Sequence, residues 1–131
     1  RSDPELNMIR WHQTLEFGDL LAYYEGLISL RKKLPGLCDK SAAAKDRIFD
    51  KKIWKEGVVS FRLNNTSEEP VQWGELFIAY NSNPENALVT LPEGNWTVLA
   101  DKDCTDCQKE PVFTADGQLI IQGCSGIILS K

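Results

Sequence analysis

Four cysteines, one histidine and a run of close-spaced aspartates are the side chains in this 131-residue chain whose types could support chemistry. Cys104-Thr105-Asp106-Cys107 has the spacing of half a zinc knuckle or of a redox pair. A complete zinc site needs a second close pair of Cys or His ligands, and Cys38, Cys124 and the lone His12 lie far apart in sequence. Free thiols are therefore the leading reading, one or two disulfides the second, and zinc the last. A thioredoxin-like redox site is disfavoured, because Cys104 follows a strand pattern and no helix pattern comes after Cys107. Asp101, Asp103 and Asp106 resemble a calcium loop in spacing, but the glycine and the terminal glutamate of such a loop are missing, so a solvated turn is expected. A Ser or Cys nucleophile would need a base, and His12, beside Trp11, is read as a partly buried hydrogen-bonding group. No catalytic residue, cofactor site or metal site is assigned.

Aromatic side chains leave one opening. Sugar rings stack on flat aromatic faces, and the chain offers Trp11, Trp54, Trp73 and Trp96. Trp96 falls in a strand pattern and reads as core. Trp73, between Pro70-Val71-Gln72 and Gly74, reads as a loop residue and is the single candidate glycan contact, with core packing the favoured role for it.

Composition bounds the remaining options. The hydrophobic fraction is 42% and the charged fraction 26%, enough apolar material for a real core. Nineteen acidic and fifteen basic side chains are interspersed, for a net charge of -4. The densest basic group, Lys51, Lys52 and Lys55, is flanked by Asp50 and Glu56, so no nucleic-acid partner is expected. No apolar run approaches the ~20 residues that span a bilayer, and no membrane partner is expected. The first residues, Arg1-Ser2-Asp3-Pro4-Glu5, do not form a signal peptide. The expectation is a piece cut from a longer chain, whose compartment this segment does not specify.

The elements that must position these residues fall into two halves. Apolar residues at Phe17, Leu20, Leu21, Tyr24, Leu27 and Ile28 follow the i, i+3, i+4, i+7 pattern of an amphipathic helix, and Tyr23 and Leu30 widen its stripe. Glu16 and Asp19 in the first turn and Arg31, Lys32 and Lys33 in the last suit the helix dipole, and Pro35-Gly36 stops the helix. Periodicity alone leaves open whether this helix packs only on its own β domain or on something larger. Ser41 is read as the cap of a short helix through Ala42-Ala43-Ala44-Lys45, with Ile48, Phe49, Ile53 and Trp54 as its buried contacts.

From Gly57 the period changes to two. Val59, Phe61 and Leu63 alternate with Ser60, Arg62 and Asn64, and Leu76-Phe77-Ile78-Ala79-Tyr80 reads as a strand covered on both faces. Further runs follow at Ala87–Leu91, Trp96–Ala100, Leu119–Ile121 and Ile127–Leu129. Turn signals separate them, and Asp116-Gly117 is the best hairpin signal. The fold class expected is mainly β with an N-terminal helix, an antiparallel β-sandwich.

Several of these segments also resemble a known family. Leu21-Ala22-Tyr23-Tyr24-Glu25-Gly26-Leu27-Ile28-Ser29-Leu30-Arg31-Lys32-Lys33-Leu34-Pro35 is similar to the last barrel helix of type I pullulanases, members of the α-amylase superfamily. Asn7-Met8-Ile9-Arg10-Trp11 resembles the Asn-x-Ile-x-Trp segment ahead of that helix. Glu75–Asn81 resembles a strand of the following β domain, and Leu91-Pro92-Glu93-Gly94-Asn95-Trp96 resembles its Leu-Pro-x-Gly-x-Trp turn. One departure is Ser2-Asp3-Pro4, where the family commonly has Ser-Pro-Asp, and no substrate contact is carried over to this loop.

The resemblance implies a β-sandwich of the α-amylase C-terminal type, with residues 1–40 ending the catalytic barrel and residues 41–131 forming the C-terminal domain. It implies a parent that hydrolyses α-1,6-glucosidic branch points in pullulan, starch or glycogen. Retaining hydrolysis of this type uses two carboxyl groups ~5 Å apart. In this superfamily they sit at the carboxyl ends of barrel strands, upstream of this segment. The expected role is therefore non-catalytic: packing on and stabilising the missing barrel, with α-glucan as the parent's substrate. An independent carbohydrate-binding module is the alternative, and a stand-alone enzyme comes last.

Overall fold

The computed structural model describes residues 18–131. Its order is helix α1 (Gly18–Lys33), short helix α2 (Pro35–Cys38), a 3-10 turn (Ala44–Arg47) and eight strands. These are β1 (Ile48–Lys55), β2 (Val58–Asn64), β3 (Glu75–Asn81), β4 (Ala87–Val89), β5 (Thr97–Ala100), β6 (Thr105–Lys109), β7 (Leu119–Ile121) and β8 (Ser125–Ser130). Six strands form one sheet in the order β1-β2-β3-β8-β5-β6, and β4 and β7 form a second. All pairings are antiparallel. The expected class, mainly β with an N-terminal helix, is the observed one.

The large sheet is covered by the small sheet on one face and, at its Leu63–Leu76 end, by the helical segment on the other, which gives three layers there. Residues opposite each other on neighbouring strands share a face. Val58, Ala79, Phe77, Ile127, Leu129 and Val98 point to one side and meet Ala87, Val89, Leu119 and Ile121 of the small sheet. Trp96 closes this core edge-to-face with Phe77, its centroid 6.0 Å away, and its indole N–H donates to the Pro92 carbonyl at 2.8 Å. The expected core role of Trp96 holds, although the residue stands just ahead of β5. On the other face Leu63, Leu76, Leu99 and Ala100 meet Leu30 and Leu34 of the helical segment. Full burial of each such leucine contributes about 1.5–3 kcal/mol.

The alternation in β2 therefore means something different from a single inward face. Val59, Phe61 and Leu63 do share a face, but it is the helix side; Leu63 is buried there and Val59 is exposed. Val58 and Ser60 lie under the small sheet, where the Ser60 hydroxyl accepts a hydrogen bond from Trp54 Nε1 at 2.8 Å.

The helix expected after Ser41 is absent. Only the 3-10 turn forms, and Ile48–Lys55 is a strand at the edge of the large sheet. The register of β1 against β2 slips between Phe49 and Lys52, and Asp50 takes a positive φ of 52°. This bulge resets the alternation, so apolar pairs at 48–49 and 53–54 mimic a helical repeat. Ile53, expected to be buried, is 81% exposed; Trp54 is half-buried against the inter-sheet core.

The Asp116-Gly117 turn forms as read. Gly117 adopts φ 80°, Phe113 bridges Leu119, and the Ile120 N–H donates to the Val112 carbonyl at 3.0 Å. Phe17, Glu16 and the Asn7–Trp11 segment lie outside the described residues. Among the described residues no helix is long and apolar enough to cross a membrane.

Candidate functional site

The β5–β6 hairpin gathers most of the polar groups singled out in the sequence. Asp101 follows β5, and its Oδ1 accepts the backbone N–H groups of Asp103 at 2.9 Å and Cys104 at 3.1 Å. Such an Asx turn satisfies the tip of a tight hairpin locally. The other carboxyl oxygen pairs with Lys109 at 2.5 Å. Burial opposes ionisation of Asp101, yet Lys109 and the two backbone donors outweigh it and hold the carboxyl below its ordinary range. Asp106 faces the opposite way. Its Oδ2 accepts from Lys33 Nζ at 2.7 Å and Ser29 Oγ at 2.8 Å, and both depress its pKa.

The three aspartates therefore do not converge. Among the described residues no group of His, Cys, Asp or Glu side chains is placed to hold a metal ion. Cys104 and Cys107 close a disulfide across the hairpin, with Cα atoms 6.4 Å apart, whereas Cys38 and Cys124 are free. The Cys104–Cys107 pair thus takes the second reading, a disulfide, and Cys38 and Cys124 take the leading one, free thiols. The pairing of Ala100 with Thr105 brings the two cysteines together, and the polar sequence of β6 gave no sign that a strand was there.

The hairpin is also the seat of α1. Tyr23 Oη donates to the Asp101 carbonyl at 2.7 Å, and Thr105 Oγ1 donates to the Tyr23 carbonyl at 2.8 Å. Burial first, then the nearby Asp101 and Asp103 charges, raise the Tyr23 pKa and keep the phenol protonated as a donor. Gly26 lets the helix backbone touch the hairpin: a Cβ there would lie 1.8 Å from Thr105 Oγ1. The helix thus spends its Tyr23, Gly26, Leu30 and Lys33 side on the sandwich. Its other side is left open, with Leu20 53%, Leu21 43%, Tyr24 56% and Ile28 56% exposed.

Trp73 lies in the loop between β2 and β3, half-buried against the leucine cluster under α1. The Asn65 side chain fixes this loop. Its Nδ2 donates to the Trp73 carbonyl and its Oδ1 accepts the Gly36 N–H, both at 2.8 Å. A cleft of about 310 Å³ opens here, bounded by Trp73, Gln72, the last turn of α1, and Asp106 and Gln108 of β6. A second cleft of about 390 Å³ runs between the two sheets along β6 and β7 and contains no aromatic side chain. Trp54 and Trp96 are committed to the inter-sheet core. His12 and Trp11 lie outside the described residues. No sequence signal pointed to Asn65, Gln72 or Gln108, because isolated amides carry no pattern.

Residues 51–103, from within β1 to the tip of the β5–β6 hairpin, match the family model described as "Pullulanase, all-beta domain". The pullulanase of Bacillus subtilis (strain 168) is 25% identical over 127 residues, covering 92% of this chain. Over most of its length the chain is similar to a pullulanase. It spans only 18% of that curated relative's own length. Among solved structures, a pullulanase from Bacillus acidopullulyticus superposes with a TM-score of 0.78 at 22% identity, covering 97% of this chain and 15% of its own. The type I pullulanase of B. subtilis str. 168, complexed with maltose, gives 0.76 at 24% identity, covering 98% and 18%. The pullulanase-related fold therefore extends well beyond the residues that the family model matches.

Proposed function

We propose that this chain is the non-catalytic C-terminal part of a pullulanase-like enzyme that hydrolyses α-1,6-glucosidic branch points, and that its own role is to pack on and stabilise the catalytic barrel. Residues 1–40 are the end of the barrel and residues 41–131 the β-sandwich. The carrying observation is the divided helix α1, which grips the sandwich with one side and leaves Leu20, Leu21, Tyr24 and Ile28 open on the other. Four large apolar side chains in one stripe form an exposed patch of the kind that marks an interaction surface. The relatives' greater length supports a larger body as its occupant.

Sedimentation velocity of the chain alone, and mixed with the separately produced catalytic segment of its parent, tests this reading. The chain should bind the segment or self-associate, and a Tyr24→Ser/Ile28→Ser variant should do neither while melting at the same temperature. A chain that stays monomeric and ignores the catalytic segment would sink the proposal.

A second reading, a module that contacts α-glucan by itself, draws support from the Trp73 cleft. It is compatible with the first, because the cleft and the open helix stripe are formed by different residues.

A further inference from the structure

The cleft beside Trp73 combines three features. One wall is the indole of Trp73, packed on the leucine cluster and partly accessible from the cleft. The rim carries the amides of Gln72 and Gln108, each able to donate and accept, and neither has a side-chain partner among the described residues. The far end carries Lys33 and Asp106, already paired at 2.7 Å. That ion pair cancels its own charge, so the cleft has no preference for an anion or a cation. Asp106 remains ionised, held there by Lys33 and Ser29, and its Oδ1 has no protein partner among the described residues. Lys33 retains further N–H donors.

An indole wall with donors and acceptors in alternation, and no net charge, suits a neutral polyhydroxylated ring. The volume of about 310 Å³ stands at the lower end for ligand sites, which limits the ligand to a short one. We infer that this cleft binds a short α-glucan, with Trp73 under a pyranose face and Gln72, Gln108, Asp106 and Lys33 on its hydroxyls. The choice of an α-glucan over other neutral sugars rests on the proposed parent enzyme; the choice of a sugar rests on the cleft. Asn65 is a positioning residue for this site, because it ties the Trp73 carbonyl to the start of α2.

Titration of the 131-residue chain with maltotriose, followed by Trp fluorescence and by NMR, tests the inference, with cellotriose as the control. Saturable binding of maltotriose with shifts at Gln72, Trp73 and Gln108, and a weaker response to cellotriose, is expected. Trp73 packs on the core, so its replacement could act through folding. The Gln72→Ala/Gln108→Ala variant avoids that ambiguity: it should weaken binding about tenfold and leave the melting temperature unchanged. No saturation at millimolar sugar, or binding indifferent to the Gln72→Ala/Gln108→Ala variant, overturns the site. Equal response to cellotriose overturns the α-glucan assignment. None of these outcomes touches the docking of the helix stripe, which sedimentation reads separately.

Discussion

Gly26→Ala pits local propensity against a tertiary contact. At a solvent-facing helix position this change stabilises by about 1 kcal/mol, because glycine is the poorest helix former after proline. Here the new methyl would arrive 1.8 Å from Thr105 Oγ1, 2.8 Å from its Cβ and 3.1 Å from its carbonyl oxygen. Ordinary contact needs ~3.5 Å, so the helix must lift by more than 1 Å or Thr105 must turn away. Turning Thr105 gives up its bond to the Tyr23 carbonyl, worth about 1 kcal/mol. Lifting the helix strains the Tyr23–Asp101 and Ser29–Asp106 bonds and costs about 1–3 kcal/mol as overpacking does in a core. Less the propensity gain, lifting leaves a net loss of up to about 2 kcal/mol, and no net stabilisation is expected. Urea unfolding measures the loss, and hydrogen exchange should show faster opening of α1 and β6 than of β2 and β3. Adding Thr105→Ala should recover part of the stability, since it removes the nearest atom. A stabilised Gly26→Ala variant would refute the tight seat of the helix on the hairpin.

Other changes read different parts of the molecule. Replacing Cys104 and Cys107 by serine removes a crosslink across a loop of about four residues, and loop entropy puts the loss at about 2 kcal/mol in denaturant unfolding. Asn81→Ala deletes a buried amide that bonds the carbonyls of Glu85 at 2.8 Å, Ile121 at 3.3 Å and Gln122 at 3.2 Å, so a loss of about 2–3 kcal/mol is expected. The Asp39 carboxyl is lowered to about 2 by Arg47 first and by Ser41 next. A depressed carboxyl stabilises the fold above its unfolded pKa and loses that contribution as pH falls from about 4 towards 2. Asp39→Asn should therefore flatten the acid limb of the stability profile in that window and leave the neutral-pH slope alone.

What the sequence made legible follows from how each element earns its stability. Helix α1 and strands β2, β3, β5, β7 and β8 bury apolar side chains at a regular period, and the period shows. Strand β6 reads Thr-Asp-Cys-Gln-Lys and is held by backbone pairing to β5 and by polar bonds to α1, none of which leaves an apolar trace. Strand β1 hides for another reason: its bulge at Asp50 breaks the alternation that would have marked it. The candidate site was legible only in its aromatic residue. Trp73 stands out by type, but Gln72, Gln108 and Asp106 reach the same cleft from two chain segments that only the sheet topology joins.

The division of labour within α1 bears on where one body ends and the next begins. With the proposed boundary after residue 40 the helix is counted with the barrel, and it also shares a buried leucine cluster with the sandwich and makes four hydrogen bonds to the β5–β6 hairpin. The same contacts oppose a hinge at Pro35-Gly36. Gly36 donates to Asn65, and a Cβ at Gly36 would meet Leu63 at 2.2 Å. A helix fixed this firmly to the sandwich, and open on its remaining side, acts as a rigid handle. Whatever covers Leu20, Tyr24 and Ile28 is thereby held at one orientation to the sandwich, and a stripe that docks must carry the whole β domain with it.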